Sequence, residues 1–198
     1  DIVIAINFDY RVFATLGEES ILFASVAGVA LLLRPSRKQE LTREQRDAVE
    51  HLPGRERVPT SDAVRLLALA MVGLDVLFGL DIVVHGQITP GGGFQGGVIL
   101  ASAPLLAYLG GDAPTLRRVA PHALVEIAEA CGLCAFVVIG LAGLVRGAAF
   151  LENVIPLGPA DSTTTSGGTI AFLSIASGTA VAGGFVLLLR VFLEESLR

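Results

Sequence analysis

The chain has 198 residues, of which 53% are hydrophobic and only 17% are charged. Soluble domains carry about 25% charged residues, so this composition argues against an ordinary soluble enzyme and predicts an integral membrane protein. The net charge of -5 gives no reason to expect a nucleic-acid partner, and two cysteines are too few for a disulfide framework.

Five apolar segments follow one another along the chain: 14–33, 64–84, 94–110, 123–145 and 168–193. A membrane-spanning helix needs about 20 residues, with a range of about 17–25. Four segments fit this requirement, whereas the third is marginal and contains Pro104, so we expect it to be short or kinked. The predicted fold class is an all-α integral membrane protein with about five transmembrane helices, the third one short.

The basic residues predict the orientation of these helices. Most of them lie in the connection 34–65, and loops rich in arginine and lysine face the cytoplasm. With that loop inside, every basic residue except Arg11 and Arg146 falls on the cytoplasmic side. The amino end is then outside and the carboxyl end is cytoplasmic.

A glycine-rich stretch, HGQITPGGGFQGG, joins the second and third segments. Pro90 fixes its own φ and biases the preceding residue away from helix, so we expect a tight turn. Four glycines then have the small-xxx-small spacing that lets helices pack at short range: Gly92, Gly93, Gly96 and Gly97. The stretch therefore predicts a helix whose bare face lies flush against its neighbours, including other subunits.

Ionisable residues within the apolar segments are costly, at about 2.5–3.5 kcal/mol near the bilayer centre. Six of them are candidates for an ion path: Glu18, Asp75, Asp81, His85, Glu126 and Glu129. Asp75 lies near the middle of the second segment, where no helix cap or interface explains it. Glu19 is instead expected to be stabilised by the helix dipole at the start of the first segment.

Two pairs among these candidates have helical spacing. Asp81 and His85 are four residues apart, and a carboxylate beside an imidazole can pass a proton; the alternative is a solvated His85 at the outer interface. Glu126 and Glu129 are three apart, and one of two close carboxylates in a dry site would hold a proton. The alternative for this second pair is a solvated first helical turn after Pro121.

No catalytic site, metal or cofactor is expected. Cys131 and Cys134 have C-x-x-C spacing, but no second cysteine pair or ligand cluster accompanies them. They are predicted to be small buried packing residues. The sequence contains no phosphate loop or His-Glu-x-x-His motif, so the chain is predicted not to be an enzyme.

The stretch HGQITPGGGFQGGVILASA resembles the signature of the MnhB (MrpB) subunit of Mrp-type multisubunit Na⁺/H⁺ antiporters. The matching residues are Pro90, Gly91, Gly92, Gly93, Phe94, Gly96 and Gly97. The resemblance extends from about residue 62 to 198. Residues 6–34 instead resemble the carboxyl-terminal helix of the large MrpA subunit, although Ala14 stands where that family usually has aspartate.

These resemblances divide the chain into a first transmembrane helix (1–34), a cytoplasmic basic loop (35–61) and an MnhB-like four-helix membrane domain (62–198). They imply a multi-pass subunit of a cation/proton antiporter in a prokaryotic cell membrane. The implied partners are other membrane subunits and the lipid bilayer, with Na⁺ and H⁺ as transported ions. Related subunits also occur in membrane-bound hydrogenases and other complex I-related assemblies. A subunit of a redox-driven complex and a purely structural scaffold are therefore the alternatives.

Overall fold

A computed structural model describes residues 12–32, 61–88, 91–111, 113–158 and 164–196. This part of the chain contains six α-helices and no strands, so the predicted all-α class is confirmed. The helices are α1 (Val12–Leu32), α2 (Asp62–His85), α3 (Gly93–Gly110), α4 (Ala113–Val119), α5 (His122–Val145) and α6 (Thr169–Ser196). A short 3₁₀ turn, Thr164–Gly167, precedes α6. Most of the predicted basic loop 35–61 lies outside the described residues.

Five of these helices, all except α4, are long and apolar enough to cross a membrane. The third of them, α3, has 18 residues with Pro104 inside, and it is the shortest of the five, as predicted. The short helix α4 has seven residues and carries Arg117 and Arg118 in its last turn. It lies in the connection between the third and fourth spans, where sequence reasoning placed no helix.

The start of α2 follows from its capping residue. The side chain of Ser61 accepts a hydrogen bond from the backbone N–H of Val64 at 3.4 Å, and Asp62 lies in the first turn. The Ser61 side chain pairs with an N–H group that the helix leaves free, and the Asp62 carboxylate interacts favourably with the partial positive charge of the helix amino end. The α2 helix therefore begins where the basic connection ends.

The central helix of the bundle is α6, since 61% of its spanning part is buried inside the chain, against 17% for α1 and for α2. It packs against α1, α3 and α5, and α2 packs mainly on α3. One hydrophobic cluster gathers around Val12, Phe136 and Leu173. A second gathers around Val26, Val125 and Val186. Both clusters join α1, α5 and α6, at different heights along these helices.

The prediction for the two cysteines is wrong, because Cys131 and Cys134 are exposed on α5. Successive helical residues point about 100° apart, so a helix that turns one face inward exposes the residues between. On α5 the inward residues in this region are Gly132 and Phe136. The cysteines therefore lie on the outward side of the helix.

Candidate functional site

Two buried carboxylates meet between α1, α5 and α6. Glu19 of α1 is 3% exposed, Glu129 of α5 is 7% exposed, and both line one small cavity. The remaining lining residues are apolar: Leu22, Phe23, Leu133, Ala180 and Val181. The cavity has a volume of about 10 Å³, close to the smallest space that holds one water molecule.

The polar atoms around this cavity are not satisfied by the described part of the chain. Neither carboxyl oxygen of Glu19 has a hydrogen-bond partner there, and Oε1 of Glu129 has none. Ser177 of α6 is completely buried, and its hydroxyl lies beside the Glu19 carboxyl group; the hydroxyl has no other hydrogen-bond partner among the described residues. A buried polar group without a partner costs about 1–3 kcal/mol, and more if it is charged. The two carboxyl groups that line the cavity therefore leave oxygen atoms free for a proton or a ligand.

The position lies deep within the spanning helices. Glu19 is three residues from the midpoint of α1, which is about 4.5 Å along a helix axis. It lies between the cluster around Val12 and the cluster around Val26 on the same helix. Glu129 has the corresponding place on α5, between Val125 and Phe136. Both carboxylates are therefore flanked above and below by packed apolar side chains.

Glycines on α6 create the space beside Glu129. A β-carbon on Gly183 would lie 2.6 Å from the backbone nitrogen of Glu129, and one on Gly184 would lie 3.0 Å from its Oε1. The first distance shows that the α5 and α6 backbones are in direct contact. The second shows that the carboxyl group occupies the volume that a side chain at position 184 would fill.

The role expected for Glu19 is wrong. The described part of α1 already begins at Val12 and has no acidic residue in its first turn, so Glu19 lies in the third turn, beyond the reach of the helix dipole. The buried residues of α1 are Val12, Thr15, Glu19 and Val26, which share one helical face. The polar pair Thr15 and Glu19, four residues apart on that face, is the sequence signal that could have identified the residue.

Glu18 and Glu126 do not line the cavity. Glu18 is exposed because it lies one position away from the inward face of α1. Glu126 is exposed as well, and its Oε2 lies 3.3 Å from Nδ1 of His122. The spacing of three residues on α5 thus places Glu126 toward the surroundings of the chain, while Glu129 turns toward α6.

Asp75 has a separate environment between α2 and α3. It is half-buried, and the hydroxyl of Ser102 on α3 donates a hydrogen bond to its Oδ2. Close approach of the helices continues one turn later, where a β-carbon on Gly79 would lie 2.8 Å from Cγ of Leu100. No residue of α2 lines the Glu19–Glu129 cavity, so Asp75 belongs to a different polar position.

Asp81 and His85 lie together at the end of α2. Oδ1 of Asp81 is 2.8 Å from Nδ1 of His85, and both side chains are substantially exposed, at 56% and 38%. The helical spacing therefore brings the two side chains into contact, as the sequence indicated. The pair is accessible from outside the chain and does not reach the cavity.

The glycine motif packs α3 between α2 and α6 of the same chain. A β-carbon on Gly96 would lie 2.8 Å from the carbonyl oxygen of Gly79, and one on Gly97 would lie 2.7 Å from that of Gly178. Gly91 has φ +147°, which favours glycine. We expected these glycines to contact other subunits, but Gly96 and Gly97 contact helices of the same chain. Pro90 lies outside the described residues.

The other motif residues lie at the start of α3. Gly92 is its N-cap, and Gly93 is so close to α6 that a β-carbon would lie 2.1 Å from the carbonyl oxygen of Ser174. The ring of Phe94 packs edge-on against Phe185 of α6, with 6.5 Å between the ring centroids. The motif therefore fixes the α3–α6 interface at one end of the bundle.

Comparison with known proteins identifies the family to which this chain belongs. Residues 63–187 match the MnhB family model, described as a domain related to the MnhB subunit of Na⁺/H⁺ antiporter. An uncharacterized protein of Methanocaldococcus jannaschii, MJ1307, is 32% identical over 196 residues, which is 92% of this chain and 72% of that protein. A Na⁺/H⁺ antiporter subunit from Bacillus subtilis is 36% identical over 95 residues, which is 48% of this chain and 66% of that protein.

A solved structure shares nearly the whole fold. It belongs to the membrane-bound sulfane sulfur reductase, an archaeal respiratory membrane complex, and matches with a TM-score of 0.73 at 31% identity. The match covers 96% of this chain and 77% of that chain. With five helices that can cross a membrane and a family match over more than half its length, this multi-pass membrane protein belongs to the MnhB family.

Proposed function

We propose that the chain is a membrane subunit of an Mrp-type multisubunit cation/proton antiporter, where it contributes helix packing and part of an ion path. Its family and its relative from Bacillus subtilis are described in terms of Na⁺/H⁺ antiport. The observation that carries the proposal is the pair of buried carboxylates, Glu19 and Glu129, within helices that can span the membrane.

The physical reason is the cost of such residues in a bilayer. Ionisable side chains within spanning helices face protein or water, and they commonly mark ion or proton pathways. A scaffold needs no unpartnered carboxylates in its core, since apolar residues of similar size pack there without a desolvation penalty. Ion transfer requires groups that bind and release a proton or a cation, and carboxylates do both.

The remaining acidic positions have other roles in this proposal. Asp75 with Ser102, and Asp81 with His85, lie on α2, whose spanning part is only 17% buried in the chain. We place them at contacts with neighbouring membrane subunits, where a second part of the path runs. Glu18 and Glu126 lie on outward faces of their helices, so they take no part in the path through the cavity.

The chain performs no bond chemistry in this proposal and works only within its complex. Its amino end is outside and its carboxyl end cytoplasmic, in line with the distribution of the basic residues. The exposed faces of α1 and α2 contact other subunits and lipid. Na⁺ and H⁺ are the transported ions.

A second candidate function is a place in a redox-driven respiratory complex. The sulfane sulfur reductase match covers 96% of this chain at 31% identity. In such a complex the same membrane module would move ions at the expense of electron transfer carried out by other subunits. The cavity between Glu19 and Glu129 would have the same task.

Purification of the tagged chain from its native membrane in mild detergent tests both candidates. We expect other membrane subunits to co-purify, and the reconstituted complex to exchange Na⁺ for H⁺, as followed by a pH-sensitive dye inside liposomes. Iron–sulfur subunits in the same preparation would select the redox-driven candidate. The chain reconstituted alone should show no exchange, and exchange by the single chain would overturn the proposal of a dependent subunit.

A further inference from the structure

We infer that Glu19, Glu129 and Ser177 form one binding position, occupied in turn by a dehydrated monovalent cation and by a proton. This inference deepens the proposed function and rests on it for the direction of ion movement. It assigns the side chains that hold the ion, which family membership does not give.

Oxygen atoms without partners define the ligand set. The unpartnered atoms at this place are both carboxyl oxygens of Glu19, Oε1 of Glu129 and Oγ of Ser177. They come from three different helices, α1, α5 and α6, and each side chain is more than nine-tenths buried. Hard cations bind oxygen ligands, so two carboxylates and a hydroxyl suit such an ion.

The charge at the site calls for a positive ligand. None of the described residues that line the cavity is basic. Among the described side chains of the three helices, the other ionisable groups are Glu18 on α1, His122, Glu126 and the exposed thiols Cys131 and Cys134 on α5, and Arg190 on α6. Arg190 donates a hydrogen bond to the carbonyl oxygen of Ala120, at the α4–α5 junction. Two negatively charged carboxyl groups that line one small cavity are stabilised when a proton or a cation lies between them.

The size of the cavity restricts that cation. About 10 Å³ accepts roughly one water-sized particle. Mg²⁺ keeps several of its water ligands in proteins, so it does not fit this space. A monovalent ion that has lost its hydration shell does fit, because the two carboxylates and the hydroxyl replace the lost water oxygens. A proton on one carboxyl group removes the repulsion between the two negative charges, so the proton and the cation compete for this position.

Binding of radioactive ²²Na⁺ to the detergent-purified complex tests the inference without any transport step. The wild-type complex is expected to bind Na⁺ more weakly as the pH falls, and to release protons into weakly buffered solution as Na⁺ binds. Glu19→Gln and Glu129→Gln should each weaken Na⁺ binding by about tenfold or more, since each removes a charged ligand. Ser177→Ala should weaken it by a smaller factor.

Neighbouring carboxylates provide matched controls. Glu18→Gln and Glu126→Gln change the same chemical group on the same two helices, but at exposed positions. Na⁺ binding by these variants should therefore stay within about twofold of the wild type. That change is well below the tenfold loss, about 1.4 kcal/mol, expected for the cavity variants. Equal losses in the controls and in the cavity variants would overturn the site. If a glutamine variant fails to assemble, Ser177→Ala decides alone, because it removes one buried oxygen and leaves both carboxylates in place.

The outcomes separate this inference from the proposed function. A complex that exchanges Na⁺ for H⁺, with Na⁺ binding unaffected by the three cavity variants, keeps the function and loses the site. A complex that binds Na⁺ through these residues but exchanges nothing keeps the site and loses the function. Absence of saturable Na⁺ binding in the wild type, which means that the cavity holds only water or a proton, overturns the site.

Discussion

Gly184 of α6 faces Oε1 of Glu129 on α5, and a β-carbon at position 184 would lie 3.0 Å from that oxygen. The preceding residue, Gly183, faces the backbone of the same glutamate. Two adjacent glycines therefore have different tasks: one allows the helices to approach, and the other leaves room for the carboxyl group. This division allows the carboxyl group to be disturbed without disturbing the helix packing.

Gly184→Ala should weaken the apparent affinity for Na⁺ several-fold while the complex still assembles. The added methyl group meets the end of a flexible side chain, so the carboxyl moves aside and the α5–α6 contact survives. The Na⁺ concentration that gives half-maximal exchange in proteoliposomes measures the effect. Gly28→Ala on α1 is the control, because no atom lies within 4 Å of its added methyl. An unchanged half-maximal concentration in Gly184→Ala would show that the carboxyl position does not matter.

Gly96→Ala should destabilise the folded chain by about 1–3 kcal/mol, the usual cost of overpacking. The new methyl would lie 2.8 Å from the carbonyl oxygen of Gly79 and 2.9 Å from the backbone nitrogen of Val83, and neither backbone atom can turn aside. Thermal unfolding in detergent measures the loss. Gly73→Ala on α2, where no atom lies within 4 Å, should leave the unfolding temperature unchanged or raise it. Equal unfolding temperatures for the two variants would contradict a tight α2–α3 contact at Gly96.

The helices were largely predictable from the sequence because the hydropathies of all residues in a span add up to one strong signal. Apolar segments predicted at 14–33 and 168–193 correspond to the spans Val12–Leu32 and Thr169–Leu193, since hydropathy summed over a whole span outweighs any single residue. The short α4 was missed because seven residues with two arginines carry no periodic apolar pattern.

The buried face of each helix was less predictable. Helices α1 and α5 are apolar nearly all round, so composition does not tell which of Glu18 and Glu19, or of Glu126 and Glu129, turns inward. Burial at Glu129 depends on Gly183 and Gly184 of α6, far away in the sequence. The side chains at a site formed by three helices follow from their mutual packing, which a single sequence does not display.

Thr169→Val should destabilise the chain, by up to about 1–3 kcal/mol for each part-buried donor left without a partner. The Thr169 hydroxyl accepts hydrogen bonds from the backbone N–H groups of Val154 and Ile155, at 3.0 and 3.1 Å. The unfolding temperature in detergent measures the change. Thr179→Val on the same helix is the control, because its exposed hydroxyl only donates to the Ile175 carbonyl oxygen one turn earlier. A similar small effect in both would show that the loop 146–158 is not held by Thr169.

Ser102→Ala and Asp75→Asn should show an energetic coupling above about 1 kcal/mol in a double-mutant cycle. Hydrogen bonds between membrane helices average about 0.6 kcal/mol, but bonds to a charged group reach about 1.5–3 kcal/mol. The Ser102 hydroxyl donates directly to the Asp75 carboxyl group, so the coupling measures how strongly this contact joins α2 and α3. Ser25→Ala on α1 is the control, since its hydroxyl donates to its own helix at the Ile21 carbonyl oxygen. A coupling near zero would show that the Ser102–Asp75 contact does not hold α2 and α3 together.

We expect ion exchange by the complex to depend on the buried carboxyl group of Glu129. Na⁺-driven proton movement should therefore be compared in liposomes that contain the intact complex with Glu129→Gln or with Glu126→Gln. We expect Glu129→Gln to abolish exchange in a fully assembled complex and Glu126→Gln to retain it. Exchange at the wild-type rate in the Glu129→Gln complex would show that ion movement does not need this carboxyl group.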